Sequence, residues 1–141
     1  MILALVLCMN MSGCLGAVQA DDYIYVVGIG FDKGSQYRFN VTFLVQKDVS
    51  GSEQTSTGGA EIISAEGDTL FDAITVLSAG VPFRINFSRA NTFFFGEEVA
   101  RSGSIKELSN ITFNALKIRQ SAKLMVCLGT AQRLMQGLCL E

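Results

Sequence analysis

The sequence predicts an α+β domain: a single mixed β-sheet of about five strands with two to three helices packed on it. Three observations lead there. The chain has 141 residues with a hydrophobic fraction of 49%, enough to enclose one core. Runs of β-branched and aromatic residues recur along it, and stretches of helical spacing separate the later runs. An order of strand, strand, strand, helix, strand, helix, strand, helix is that of one sheet with helices laid against it.

The elements follow in order. Tyr23 to Phe31 reads YIYVVGIGF, bounded by Asp21-Asp22 and by Asp32-Lys33-Gly34, which is a strand entering a tight turn. Tyr37 to Val45 supplies its hairpin partner, with Tyr37, Phe39, Val41, Phe43 and Val45 on a core face and Arg38, Asn40 and Thr42 on the other. Lys47 to Gly59 is polar and rich in Gly, Ser and Thr, and reads as a surface loop. Ala60 to Ala65 is a short strand and Glu66-Gly67-Asp68 a turn; Asp68 or Thr69 caps a helix from Leu70 to Ala79 that shows Leu70, Phe71, Ile74 and Leu77 on one face and stops at Gly80. Ile85 opens irregularly into a strand at Asn91 to Phe95, and Glu97 to Ala100 form a helical turn. Ser104 caps a helix through Ala115, Ala122 to Leu128 is the last strand, and Ala131 to Gln136 the last helix. The passage from Phe93 to Leu128 is therefore a right-handed parallel crossover.

Composition excludes several functions. A net charge of −2 and scattered Lys and Arg make no basic field for nucleic acid. The chain contains no histidine, which removes the usual triad base and the commonest zinc ligand. Catalysis would rest on carboxylates, lysines or thiols. Gly28-Ile29-Gly30 before Asp32-Lys33-Gly34 lacks the third glycine and following helix of a dinucleotide loop, so glycines bending a strand are the better reading. Glu97 and Glu98 are adjacent and diverge on a helix, as befits a solvated helix start. Asp21, Asp22 and Asp32 lack calcium-loop spacing and read as turn carboxylates. The phenylalanines at 93 to 95 read as a buried strand. Cys127 and Cys139 lie in apolar surroundings without metal-ligand spacing and read as core thiols. No cofactor or metal site is expected.

The first residues carry the sharpest signal. Met1 to Met11, MILALVLCMNM, has the length of a signal-peptide apolar region and is too short to span a bilayer, which takes about 20 residues. Met11-Ser12-Gly13-Cys14 resembles a bacterial lipobox. The resemblance implies a diacylglyceryl group on the Cys14 thiol, cleavage before it, and two or three acyl chains as a membrane anchor. Residues 1–13 would then be a lipoprotein signal peptide, 14–22 a tether and 23–141 the folded domain. No positive charge precedes the apolar run, so the signal is expected to start upstream. Cys8 would leave with it.

Together the lipobox, VVGIGFDKG at Val26 to Gly34, SAEGDTLFDAI at Ser64 to Ile74, GEEVARSG at Gly96 to Gly103 and the Gly129-Thr130-Ala131 turn are similar to the N-terminal domain of the Ger(x)C family of spore germination lipoproteins. That resemblance implies the lipoprotein subunit of a nutrient germinant receptor, palmitate-type acylation at Cys14, and a place on the outer face of the spore inner membrane beside two integral membrane subunits. It implies no catalytic activity. Leu15 stands where the family often has tryptophan, and family members continue past the point matching Glu141, so the chain is expected to be a fragment of a longer protein. Two other classes remain in view: an envelope lipoprotein that binds a small molecule independently, and a small carboxylate enzyme using Glu97 or Glu66.

Overall fold

The computed structural model describes residues 23–47, 60–118 and 121–139. Among these described residues, six strands and four helices follow in the order β1 (Tyr23–Lys33), β2 (Phe39–Lys47), β3 (Glu61–Gly67), α1 (Leu70–Gly80), β4 (Arg84–Asn86), β5 (Thr92–Phe95), α2 (Glu97–Arg101), α3 (Ile105–Ala115), β6 (Lys123–Val126) and α4 (Ala131–Leu138). They build one mixed sheet in the order β3-β2-β1-β5-β6, with β4 beside the start of β1. The expected α+β class is the observed one.

β1 organises the sheet. It runs antiparallel to β2 along most of its length and parallel to β4 and then β5 on its other side. Tyr23 to Tyr25 pair with Arg84 to Asn86, and Gly28 to Phe31 pair with Thr92 to Phe95. Between these sets the register against β2 shifts by one residue, between Val26 and Gly28. Such a bulge moves the following side chains by one position. Ile24 and Val26 before it, and Ile29 and Phe31 after it, consequently belong to the same core.

That core lies between one sheet face and α1, α2 and α3. It includes Val26, Ile29, Phe31, Val41, Phe43, Phe93 and Phe95 from the strands and Leu70, Ala73, Leu77, Val99 and Leu108 from the helices. Aromatic rings lock its centre: Phe31 stacks on Phe95 with centroids 5.3 Å apart, and Phe93 meets Phe113 edge-on at 5.2 Å. Contacts of this geometry add to simple area burial. The opposite face carries a smaller cluster of Phe94, Cys127, Ala131 and Met135, with Leu44 and Ile62 packed against it. α4 covers it.

Several expectations change. The β2 face carrying Asn40 and Thr42, placed opposite the core face, is covered as well: Thr42 is fully buried, because α4 lies over that side. Tyr37 is 52% exposed and precedes β2; the turn holds its backbone rather than its ring. Phe71 is exposed on α1, where Ala73 takes the buried position. Glu66 and Gly67 belong to β3 instead of a turn. Thr69 caps α1 in a reciprocal pair with Asp72, whereas Ser104 makes no side-chain cap to α3. β4 replaces the irregular start at Ile85. β5 and β6 are parallel neighbours, as the crossover requires. Cys8, Cys14, Asp21, Asp22, the leader, the tether and most of the 47–59 loop lie outside the described residues.

Candidate functional site

In open sheets with parallel strands, ligands usually sit beyond the carboxyl ends of those strands. Here the ends of β1, β5 and β6 meet the starts of α2 and α4 around a crevice of about 240 Å³ lined by Asp32, Lys33, Glu97, Glu98, Arg101, Gly129 and Thr130. A helix N-terminus at such a place offers free backbone N–H groups to an anion.

The protein fills that place itself. The Asp32 carboxylate, only 5% exposed, accepts the N–H of Ala131 at 2.7 Å and of Gln132 at 2.9 Å. Thr130 Oγ1 accepts the next N–H, from Arg133. Glu97 ties the other rim: its N–H donates to the Gly129 carbonyl at 2.8 Å, and its carboxylate accepts the Gly129 N–H and two guanidinium N–H groups of Arg101. The Arg101 bonds first, and the Gly129 N–H second, hold the Glu97 carboxyl below the ordinary carboxylate range. Glu98 pairs with Lys33 at 3.2 Å in full solvent, a contact of small energetic weight. An external anion would have to displace a buried carboxylate to reach α4.

Asp32 is thus more than the turn carboxylate its sequence position suggests. It joins the end of β1 to a helix 99 residues away. The glycines before it have a packing role: a Cβ on Gly30 would stand 2.7 Å from Met135 Sδ and 3.2 Å from Ala131 Cβ, and one on Gly28 would stand 3.2 Å from the Phe94 ring. They let α4 and the Phe94 ring lie close against β1, so the expected structural role of these glycines is one of packing.

A second carboxylate is held in a similar way. Glu66, near the end of β3, accepts the backbone N–H groups of Ser35, Gln36 and Tyr37 and the Ser35 hydroxyl at 2.7 to 3.2 Å. Successive backbone N–H groups converging in this way form an anion nest. They lower the Glu66 pKa to about 2, the Ser35 N–H contributing most. Asp68 accepts the N–H of Arg38 alongside. The depression beside this turn, about 770 Å³, is lined by Ser35, Gln36, Tyr37, Ser64, Glu66 and Asp68 among others. A carboxyl held ionised to so low a pH is poorly suited to donate a proton near neutrality.

The two candidate catalytic carboxylates, Glu66 and Glu97, therefore lie in separate clusters, each engaged in tying backbone together. Cys127 is buried and Cys139 half-buried, both as free thiols; burial raises the Cys127 thiol above its usual range, with the Asp32 charge as a lesser cause. The core-thiol reading holds for Cys127 and only partly for Cys139. Among the described residues no group of His, Cys, Asp and Glu could hold a metal ion, and no helix is long and apolar enough to cross a membrane.

A family model described as the spore germination protein N-terminal domain matches residues 16–137. The chain belongs to this family. The spore germination match takes in every described strand and all but the last residue of α4. Among curated proteins, the Bacillus subtilis (strain 168) protein YfkR, whose name is that of a spore germination protein, is 29% identical over 139 residues, which are 93% of this chain and 35% of the relative. The chain thus spans about a third of that relative's length. No solved structure matches.

Proposed function

We propose that this germination-family chain is the non-catalytic lipoprotein subunit of a nutrient germinant receptor, carried on the outer face of the spore inner membrane by acyl chains on Cys14. The observation that carries the reading is one of position. The lipobox-like Met11-Ser12-Gly13-Cys14 ends two residues before residue 16, where the family domain begins. A signal peptide removed there would leave residues 14–22 as a tether of on the order of 30 Å when extended, leading directly to Tyr23 at the start of β1. Two integral membrane subunits would then be the partners within reach of the domain.

The geometry supports a non-catalytic role. At the crevice where a parallel sheet usually takes its ligand, the N–H donors are already engaged by Asp32 and Glu97, and Glu66 occupies its own nest. Binding and holding partners fit such a domain better than turnover.

Mass spectrometry of the membrane fraction from a producing cell tests the anchor. The wild-type chain is expected to begin at Cys14 with a diacylglyceryl adduct, and Cys14→Ala to lose both cleavage and membrane retention. A soluble, unmodified wild-type chain would overturn the anchor. Loss of one nutrient's germination response in the Cys14→Ala strain, with responses to other nutrients retained, is the expected receptor phenotype.

A further inference from the structure

β6 forms the last strand of the sheet on one side, paired only with β5 among the described residues. Natural edge strands are usually guarded by charges, proline, bulges or a covering element. Here one lysine, Lys123, opens the strand, and the rest is apolar: Leu124 is 50%, Met125 45%, Val126 62% and Leu128 95% exposed. The backbone is open as well. Lys123 N–H donates to Asn91 and Cys127 N–H to Phe95, so odd-numbered residues bond inward to β5. In a strand the intervening residues turn their N–H and C=O groups the other way, which points those of Leu124 and Val126 outward.

α4 widens the same apolar strip. Gln132 bonds to Asn40 on β2 and Ser64 on β3, so its side of the helix faces those strands. Successive helical residues rotate by about 100°. Leu134 and Leu138, two and six positions later, therefore project from the opposite side, toward β5 and β6; they are 41% and 48% exposed.

We infer that β6 is a strand-addition surface and that its occupant is a second copy of this chain, paired antiparallel about a two-fold axis at Met125. The strand is self-complementary in that register. Leu124 lies opposite Val126 of the second copy and Val126 opposite its Leu124, which satisfies all four outward backbone groups of each copy's two residues. Met125 faces its own equivalent, and Lys123 faces Cys127, so apolar residues meet on both faces and no like charges are opposed. The two Lys123 ammonium groups stand roughly 13 Å apart along the strands, beyond the screening length of about 8 Å at physiological salt. Both α4 helices fall on one side of a continuous sheet, where Leu134 and Leu138 of each copy flank the paired Met125 residues. The surface covered is on the order of 1,000 Å² in total, the lower range of specific interfaces. The dimer is accordingly a weak one, and tethering on a membrane would raise its occupancy by raising effective concentration.

Analytical ultracentrifugation of the full chain under reducing conditions, from about 1 μM to about 1 mM, reads the equilibrium. A concentration-dependent dimer is expected, with Val126→Lys remaining monomeric over the range and an unchanged circular dichroism spectrum. Cysteine cross-linking locates the axis: in a Cys139→Ser background, Met125→Cys is expected to give a covalent dimer on mild oxidation, because residues directly opposite in such a non-hydrogen-bonded pair have Cα atoms about 4.5 Å apart. Ser78→Cys, exposed on α1, is the control and is expected to give none above background. A monomer at every concentration, a dimer indifferent to Val126→Lys, or equal cross-linking at positions 125 and 78 would each overturn the inference, and the first would return the edge to another segment or a different protein. None of these readings depends on Cys14.

Discussion

The Asp32 carboxylate receives the backbone N–H of Ala131 at 2.7 Å, across 99 residues of sequence. The bond fixes the start of α4 over the end of β1, and with it the helix that covers the second face of the sheet. An aspartate at this position is buried and matched to two helix N–H donors, and a carboxylate at a helix start makes stronger bonds than a neutral acceptor does. Asp32→Asn retains the shape but presents an NH₂ group to one of those donors. It is expected to destabilise the domain by about 1–3 kcal/mol, read as a lower urea midpoint with an unchanged slope.

Acidification should act through Glu66. Its folded pKa of about 2 lies below the ordinary 4.5, so its contribution is present above pH 4.5 and is lost as the pH falls from there toward 2. Urea midpoints of the wild type and Glu66→Gln are expected to differ most at pH 6 to 7 and to converge as the pH approaches about 2. A difference that persists undiminished to pH 2 would show that the carboxylate charge is not what holds the Ser35–Tyr37 turn.

Gly30 lies beneath α4 with no room for a branched side chain. Gly30→Val is expected to cost about 1–3 kcal/mol, because Met135 can shift but Ala131 Cβ, 3.2 Å from the added atom, is fixed to the helix. Thermal denaturation measures it. Gly80→Ala, where an added Cβ meets nothing within 4 Å, is the matched control and is expected to be neutral or slightly stabilising.

Thiol reactivity should separate the two cysteines of the domain. Cys127 is 5% exposed and its thiol is raised by burial, whereas Cys139 is half-buried. Since the thiolate is the reactive form, alkylation at pH 8 followed by peptide mapping is expected to label Cys139 more than about tenfold faster, the ratio collapsing in denaturant.

Local pattern made much of this fold legible. Phe39, Val41, Phe43 and Val45 alternate into the core as their spacing requires, and the aromatic run at 93 to 95 is a buried central strand. What period and propensity cannot carry is the effect of distant chain. Thr42 looks like the wet side of a hairpin until α4 arrives from ninety residues away. β4 has three residues, too few for any period to register. The bulge in β1 changes which residues share a face without changing a single propensity. The site was less legible for the same reason: Asp32 and Glu66 are ordinary turn residues by neighbourhood, and become anchors only because the fold brings two backbone N–H groups to Asp32 and three, with the Ser35 hydroxyl, to Glu66. A carboxylate directly after a β-branched, glycine-containing strand and matched to a later Gly-Thr helix start was the available signal for Asp32.

The position of α4 at the far end of the described chain has a consequence for how the domain comes into being. Until residues 131–135 have been synthesised, Asp32 has no donors and the glycine-floored face of β1 has no cover. A nascent chain that has already paired β1 with β2 and β3 must therefore wait, half-built and with one face bare, for α4. Its vulnerable interval is set by translation, at roughly 5–20 residues per second, and chaperone dependence in this domain should centre on that delay.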